Sequence, residues 1–422
     1  MRRPLLTLFA IALVLRVLFC FIVVPFGSLP LAWNDRDFFR KYDGYLALAD
    51  NVLRHGTLAF VGNGPPTIYR APAYPAALAG TLLLIPDPVA ATLVLNCIAS
   101  ALTCVVVGML AVRLYGPGVS VWFLLPVALF PASFLYCCRP LSDVFLGLTL
   151  TLYLYALVLL AAQPTLGRAL FVGMAFAVTA LTKSTGLPLA LVAVLYALFR
   201  RPSMLRPLLA SLCLSALLIA PWSWRNYRVT GRWIPITGGA GFNLLVGNFM
   251  VESGEDPGRS FRYGLARAAE HVRDEYHLAV PESLSKGQGW WDVAPELDDA
   301  YGRAAVRMWL SDPWLLPRKV IVNAFRFFFF ASGPWPRWAL NAALNLATLV
   351  LAGVSLAGLV RRGSRTAELL IVMLAAYVVV YALIIVHTQR FAMPILMVLL
   401  PCAVVPIARW VKRGVSATGP RL

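Results

Sequence analysis

Hydrophobic residues are concentrated in long runs with few charges, and short polar segments separate these runs. A helix needs about 20 apolar residues to cross the hydrocarbon core of a bilayer, and most of the runs approach that length. The first run follows Arg2 and Arg3 and has no small-residue cleavage site, which indicates a retained helix rather than a signal peptide. The pattern predicts an all-α polytopic membrane protein with about ten transmembrane helices. They are expected at 1–26, 88–112, 119–138, 142–162, 169–182, 186–199, 207–224, 338–360, 367–387 and 391–410.

The amino-acid composition predicts the same class of protein. Hydrophobic residues make up 60% of the 422 residues and charged residues 13%, with a mean hydropathy of +0.75. A soluble domain has about 45–50% apolar and about 25% charged residues. The seven cysteines lie in or beside apolar runs without a CxxC spacing, so we interpret them as small buried residues. These values exclude the disordered and collagenous classes and the small proteins whose fold depends on a disulfide scaffold.

The net charge of +18 is distributed unevenly along the chain. If the N-terminus is cytoplasmic, the inner segments are rich in Arg and contain one acid, Glu368, whereas the other acids lie on the opposite side. This distribution satisfies the positive-inside rule. It predicts a protein of the inner or plasma membrane with both termini in the cytoplasm. It also accounts for the basic excess without a nucleic-acid partner.

Three segments follow from this topology. Residues 1–224 form an N-terminal transmembrane module that includes a first outer loop, 27–87. The larger outer loop, 225–337, lies between spans seven and eight, and residues 338–422 form the C-terminal transmembrane helices. The outer loops also contain shorter apolar or amphipathic stretches. If such a stretch crossed the membrane, every later loop would change sides and the positive-inside distribution would be lost, so we expect juxtamembrane helices on the outer face. These stretches are 46–58, 74–85 and 317–332.

Two basic residues stand inside apolar regions. Arg16 lies in the middle of the first span, where a charge facing lipid costs about 3 kcal/mol, so we expect it to face the helix bundle in a structural pairing. Lys183 lies between two runs that are short for a full crossing. A break in a membrane helix is tolerated where it lines a cavity or is buried in protein, which makes Lys183 a candidate site residue.

The outer segments contain the residue types needed for a reaction on a lipid headgroup. Asp35, Asp37 and Asp43 are candidates for a general base, since activating a hydroxyl requires a positioned proton acceptor. Asp143, at an outer turn, either adds to the same face or caps the following helix. Guanidinium and ammonium groups bind phosphate. The candidate phosphate-binding residues are Arg70, Lys183, Arg225, Arg228 and Arg390.

The sequence contains no recognisable metal-binding motif. The four histidines form neither HExxH nor a Cys/His ligand spacing, and His271 and Glu275, four residues apart, are interpreted as surface residues. A divalent cation held by carboxylates and a phosphate would leave no motif. A divalent cation therefore stays open as a cofactor.

Four blocks resemble the GT-C membrane glycosyltransferases, specifically the group that is similar to protein O-mannosyltransferases and aminoarabinose transferases. The first block is Asp43-Gly-Tyr45 with the following helix and Tyr69-Arg70-Ala-Pro-Ala-Tyr74-Pro75. The second is Leu181-Thr-Lys183 with Gly186-Leu-Pro188. The third, which is the most specific, is Pro221-Trp-Ser-Trp-Arg225-Asn226-Tyr227, and the fourth is Gln389-Arg390-Phe-Ala-Met-Pro394.

The resemblance implies transfer of a sugar from a polyprenyl-phosphate carrier to an acceptor hydroxyl on the outer face, with inversion at the anomeric carbon. It implies an aspartate of the first loop as base and Arg70 and Lys183 as stabilisers of the departing phosphate. It also places Tyr74, Arg225, Asn226 and Arg390 among the substrate-binding residues. The family's acid stands four residues before the helix tyrosine, where this chain has Lys41, so the base is either Asp43 or Asp37.

Two other functions are compatible with a polytopic chain. A transporter or flippase for an anionic lipid or solute would place its ionisable residues near the bilayer midplane. In this chain only Arg16 is expected there, whereas the acids and other cations are expected at the outer edge. A scaffold protein would not depend on any aspartate. We therefore predict a hexosyl or pentosyl transferase, with a polyprenyl-phosphate-sugar as donor and a lipid, glycan or protein as acceptor.

Overall fold

The computed structural model describes residues 2–23, 43–253, 257–285, 293–329, 335–385 and 389–418, and these residues form helices and connecting turns without a strand. The helices are α1 (Arg2–Leu18), α2 (Tyr45–His55), α3 (Ala73–Leu84), α4 (Pro88–Tyr115), α5 (Val121–Ala128), α6 (Pro131–Cys137), α7 (Ser142–Ala162), α8 (Leu166–Thr182), α9 (Pro188–Arg200), α10 (Leu205–Thr230), α11 (Ala240–Glu252), α12 (Pro257–Tyr276), α13 (Glu282–Ser285), α14 (Pro295–Ser311), α15 (Leu315–Phe329), α16 (Trp335–Arg361), α17 (Arg365–Ala382) and α18 (Met393–Thr418). A π-helical turn, Phe19–Val23, extends α1.

The chain is an integral membrane protein, as its hydrophobic pattern predicts. Among the described residues, seven helices are long and apolar enough to cross a bilayer. They are Arg3–Val23, Pro88–Tyr115, Ser142–Ala162, Pro202–Thr230, Ala339–Arg361, Arg365–Ala382 and Gln389–Trp410. Three further apolar helices are shorter: Ala73–Leu84, Leu166–Thr182 and Ser184–Arg200. The total of ten crossings and the cytoplasmic position of both termini stay predictions.

One predicted span differs from the structure. The run 119–138 forms two short helices, α5 and α6, instead of one. Phe130 is extended (ψ 115°) because it precedes Pro131, whose ring disfavours a helical conformation in the residue before it. Proline therefore divides a run that hydrophobicity alone assigns to a single helix.

The centre of the helical bundle is formed by α4, α7 and α18. Within the most apolar stretch of these helices, 67%, 72% and 72% of the residues are buried, compared with 22% or less for α1, α10 and α16. Close packing relies on small residues. A Cβ atom on Gly173 in α8 would lie 2.7 Å from the carbonyl oxygen of Ser211 in α10, so these two helices approach closely only because residue 173 is glycine.

Arg16 faces the bundle interior, which confirms the prediction. Its side chain is fully buried. The guanidinium donates to the hydroxyls of Ser100 (2.7 Å) and Ser133 (2.9 Å) and to the carbonyls of Ala12 (3.0 Å) and Ala128 (3.1 Å). Neutral acceptors in α1, α4, α5 and α6 thus satisfy the buried charge, and Arg16 holds these four helices together.

The segment predicted as the larger outer loop forms a second, smaller core from α11, α12 and α14. Its contacts are tight, because a Cβ atom on Gly241 would lie 2.0 Å from the carbonyl oxygen of Asp298. The Asp298 carboxylate accepts from the backbone N–H groups of Gly239 (2.9 Å) and Phe242 (2.8 Å), so a residue of α14 caps the beginning of α11. The segment expected as a juxtamembrane helix at 317–332 corresponds to α15, which the structure describes as far as Phe329.

Candidate active site

Asp43 immediately precedes α2 and has an unusual backbone conformation. Its φ is 55° and that of Gly44 is 73°, so two successive residues are left-handed. Left-handed φ values disfavour residues with a Cβ atom, although Asp tolerates them better than most. Gly44 is also required sterically, since a Cβ atom there would lie 2.4 Å from Cε1 of Phe60. The turn before α2 thus fixes the direction of the Asp43 carboxylate.

The Asp43 carboxylate binds two arginines. Oδ2 accepts from Nη1 of Arg390 at 2.8 Å, and Oδ1 lies 3.5 Å from Nη2 of Arg70. Arg70 also donates from Nε to the Asp43 backbone carbonyl at 3.4 Å. Burial by itself would raise the pKa of this carboxyl, but the Arg390 and Arg70 charges outweigh it and hold the pKa well below its ordinary value. Asp43 is therefore ionised at neutral pH.

A second carboxylate adjoins the first. The Asp143 side chain is almost fully buried, and its Oδ1 lies 2.9 Å from Nζ of Lys183. Nε of Arg390 is 3.8 Å from Oδ2 of Asp143, so one guanidinium contacts both carboxylates. Asp143 also lies in the first turn of α7, where the helix dipole favours an anion. Asp143 can therefore fill both roles that the sequence left open: it stabilises the beginning of α7, and it contributes a carboxylate beside Asp43.

Lys183 lies at the helix break that the sequence predicts. The chain leaves α8 at Thr182, Lys183 is extended (φ −157°, ψ 123°), and a short turn leads into α9. The ammonium group lies 4.4 Å from the ring centroid of Phe391 and 5.7 Å from that of Tyr381. Aromatic faces attract a cation, so these rings orient Lys183 towards Asp143.

These five charged residues converge from distant parts of the sequence, and we call them the ion-pair cluster. The set contains three cations and two carboxylates, so its formal charge is +1. An excess positive charge on partly buried side chains is suited to bind an anion. The members of the cluster are Asp43, Arg70, Asp143, Lys183 and Arg390.

Aromatic residues support the cluster from one side. The Arg70 guanidinium lies 5.1 Å from the ring centroid of Tyr45, whose hydroxyl is 2.9 Å from Oγ of Ser142. Tyr45 packs edge-on against Tyr74 (5.2 Å), and the Tyr74 hydroxyl donates to Oδ1 of Asn96 at 3.2 Å. Tyr74 is fully buried, so its contacts place it beneath the cluster. Tyr45 stands in the same sequence block as Asp43 but is not among the predicted site residues.

Three of the predicted binding residues lie apart from the cluster. Arg225 donates to the backbone carbonyls of Thr67 (2.7 Å) and Leu58 (3.4 Å) and lies 4.7 Å from the Trp222 ring centroid. The Asn226 amide donates to the carbonyls of Ile234 (3.1 Å) and Ile236 (2.9 Å), which closes the turn after α10, and Arg228 is exposed to solvent. The other two candidate bases, Asp35 and Asp37, lie outside the described residues.

The described residues do not form a metal centre. In this part of the chain, no group of three or more His, Cys, Asp or Glu side chains has a suitable arrangement for a metal ion. The two carboxylates of the cluster are already paired with Arg70, Lys183 and Arg390. The chemistry of the donor set therefore suits an anion better than a divalent cation.

The fold is similar to that of solved membrane enzymes. The oligosaccharyltransferase AglB from Archaeoglobus fulgidus, in complex with an inhibitory peptide and a dolichol-phosphate, superposes with a TM-score of 0.60 and 14% identity. The apo form of the Archaeoglobus fulgidus oligosaccharyltransferase gives a TM-score of 0.58 with 14% identity. Each superposition covers 99% of this chain and 52% of the other. ArnT from Cupriavidus metallidurans bound to undecaprenyl phosphate gives a TM-score of 0.40 and 15% identity over 86% of this chain and 73% of ArnT.

No protein-family model matches the sequence, and no curated protein matches it. The chain spans about half of the length of the two oligosaccharyltransferase chains. At such low identities the superposition shows the fold, which agrees with the resemblance carried by the four sequence blocks. The chain therefore has a fold similar to that of the Archaeoglobus fulgidus oligosaccharyltransferase.

Proposed function

We propose that this protein transfers a sugar from a polyprenyl-phosphate-linked donor to an acceptor hydroxyl on the outer face of the membrane. The observation that carries the proposal is the convergence of Arg70, Lys183 and Arg390 with two carboxylates, Asp43 and Asp143, on a GT-C fold. This set combines an anion site with proton acceptors. Transfer from a lipid phosphate needs both, since negative charge develops on the leaving phosphate while the acceptor loses a proton.

The cations are the proposed site for the donor phosphate. Arg70 offers a planar guanidinium that is held against Tyr45, and Lys183 offers a point charge held by Phe391 and Tyr381. The cluster lies where α7 begins, between the α8–α9 break and the turn before α18, and is thus at the end of the apolar helices. A lipid phosphate at headgroup level would reach this position while its polyprenyl chain stays in the bilayer. The AglB structure was determined with a dolichol-phosphate, which supports a lipid partner of this class.

Asp43 is the proposed general base. Its contacts with Arg390 and Arg70 support this choice, and Asp37, the alternative, lies outside the described residues. While Arg70 and Arg390 hold the carboxylate, its pKa is low and it accepts a proton poorly. A bound phosphate would share these guanidinium groups and weaken their hold on Asp43. The carboxylate would then become more basic when the donor is in place, which couples acceptor activation to donor binding.

Asp143 is the proposed positioning residue of the same site. Its ion pair with Lys183 and its approach to Arg390 fix two of the three cations. The proposal includes inversion at the anomeric carbon, because a base that activates the acceptor directly leads to a single displacement of the phosphate. The acceptor class, whether lipid, glycan or protein, is decided by contacts outside the cluster.

Sugar transfer in proteoliposomes tests the proposed function. Purified protein would receive polyprenyl-phosphate-linked radiolabelled sugars and a membrane extract as acceptor source. We expect transfer by the wild type and a loss of about a hundredfold or more in Asp43→Asn, since general-base catalysis contributes about 10²–10⁴ in rate. Asp50→Asn is the matched control, because Asp50 is on α2, is half-exposed and pairs with Arg54. Equal sugar transfer by the Asp43 and Asp50 variants would refute Asp43 as the base. If the protein moved lipid or solute across the bilayer but transferred no sugar, the proposed enzymatic function would be wrong.

A further inference from the structure

Four cysteines lie together near the end of the bundle that carries the ion-pair cluster. Cys20, Cys97 and Cys137 are fully buried, and Cys138 is almost so. The Sγ atoms of Cys20 and Cys138 are 3.2 Å apart, and those of Cys20 and Cys97 are 3.8 Å apart. Among the described residues, no group of three such side chains has a suitable arrangement for a metal ion, so coordination does not explain this proximity.

The backbone places Cys20 and Cys138 next to each other. Cys20 lies in the π-helical turn Phe19–Val23, and Cys138 directly follows α6. The neighbouring rings of Phe19 and Phe134 pack edge-on at 5.3 Å, which holds the two elements together. A disulfide requires a sulfur–sulfur distance of about 2.05 Å, so a movement of about 1 Å would allow a bond to form.

We propose that Cys20 and Cys138 form a disulfide in the mature protein. The predicted topology places both residues at the outer end of the bundle, and outer compartments are oxidising. The two thiols would exchange with the disulfide of a thiol-oxidising partner: one sulfur–sulfur bond forms between Cys20 and Cys138, the partner's bond breaks, and the partner receives both electrons and both protons as two thiols. Exchange before the helices finish packing explains how the buried sulfurs are reached.

The cross-link would hold the segment that presents Asp143. Asn96 donates to the carbonyls of Cys137 (3.2 Å) and Arg139 (2.8 Å), which fixes the chain between Cys138 and the beginning of α7. The disulfide would tie this segment to the first membrane helix and close a loop between residues 118 positions apart. A cross-link that closes a long loop restricts the unfolded chain strongly, so it stabilises the folded bundle.

Thiol counting tests the disulfide without any assumption about catalysis. Membranes would be solubilised in denaturant with excess N-ethylmaleimide and no reductant, and the intact mass would give the number of labelled cysteines. Of the seven cysteines, we expect five to be labelled, and all seven after prior reduction. Peptide mapping should join Cys20 to Cys138. Seven labelled cysteines without reductant, or a bond between other residues, would overturn the proposal.

Thermal unfolding in the presence of a reductant gives a second measurement, because the buried sulfurs become accessible when the helices separate. Tris(2-carboxyethyl)phosphine should lower the melting midpoint of the wild type by a few degrees. It should leave the midpoint of Cys20→Ala unchanged, because that variant lacks the bond. Cys213→Ala is the matched control, since Cys213 is the exposed cysteine of α10 and should retain the response of the wild type. A wild-type midpoint that does not respond to the reductant would contradict the disulfide.

Discussion

Nη1 of Arg390 lies 2.8 Å from Oδ2 of Asp43, although the two residues are 347 positions apart in the sequence. Arg390 belongs to the short turn before α18, and Asp43 to the left-handed turn before α2. The same guanidinium approaches Asp143, so it joins the two carboxylates of the ion-pair cluster. This contact connects the turn before α2 with the turn before α18 at the proposed catalytic centre.

Replacement of Arg390 by lysine should impair transfer although the charge is kept. One ammonium group cannot reach Asp43 and Asp143 with the geometry of a guanidinium, which contacts both from different nitrogens. We expect kcat/KM for the lipid-linked donor to fall roughly ten- to a hundredfold, as charge-assisted hydrogen bonds are worth about 1.5–3 kcal/mol. Arg54→Lys, at an exposed arginine of α2, should leave the kinetics unchanged. If Arg390→Lys kept the wild-type kcat/KM, Arg390 would not be a residue of the active site.

Removal of the Arg70 charge should shift the pH profile of the reaction. Arg70 is one of the two arginines that lower the pKa of Asp43, so Arg70→Gln should raise that pKa. The acid limb of kcat/KM reports the free enzyme and should therefore move to higher pH, by about one unit or more. The measurement is donor kcat/KM across the acid range, with Arg54→Gln as control. If the acid limb of Arg70→Gln lay at the same pH as that of the wild type, the titration of Asp43 would not control this step.

Gly44→Ala should destabilise the turn before α2. The φ of 73° and the contact with Phe60 both disfavour a Cβ atom at this position. We expect the free energy of unfolding to fall by about 1–2 kcal/mol from the left-handed conformation alone. Sugar transfer should also be reduced, because Asp43 is displaced. Thermal unfolding of Gly44→Ala beside Gly80→Ala checks this prediction. Gly80 lies within α3 with open space around its Cβ position, so its replacement should not destabilise the protein.

Lys319 in α15 should make stability depend on pH. Its ammonium group is buried and donates to the carbonyl of Leu244 and to Oδ1 of Asn248, each at 2.8 Å. Burial lowers the pKa of Lys319 to about 7, below the ordinary value of about 10.4. The unfolded chain therefore binds more protons than the folded chain between pH 7 and about 10. In that range the contribution of Lys319 to the free energy of unfolding increases with pH.

Lys319→Met should flatten this rise. The measurement is the melting midpoint between pH 7 and pH 9 for the wild type, Lys319→Met and the control Arg318→Met, which changes an exposed residue of the same helix. We expect the wild type and the control to gain a few degrees over this range and Lys319→Met to gain less. Parallel curves for all three proteins would show that Lys319 stays charged when buried.

The sequence by itself determined the class of the protein and selected as candidates the residues that form the ion-pair cluster. Long apolar runs predict membrane helices because hydrocarbon cannot satisfy polar groups, and this reasoning requires no tertiary contact. The break at Lys183 was visible as two short apolar runs on either side of a polar segment, 182–185. The motif blocks predicted Asp43, Arg70, Lys183 and Arg390 as site residues, since each block is local in the sequence.

Only the tertiary structure decided which of these residues meet. Arg225 and Asn226 stand in the most specific block, yet their side chains bind backbone carbonyls, and a sequence motif does not distinguish a ligand contact from a structural one. The contact between Arg390 and Asp43, and the approach of Cys20 to Cys138, depend on how helices far apart in the chain pack. Such contacts follow from the shape of the whole bundle, because hydrophobic patterning fixes which faces are buried but leaves open which helices become neighbours.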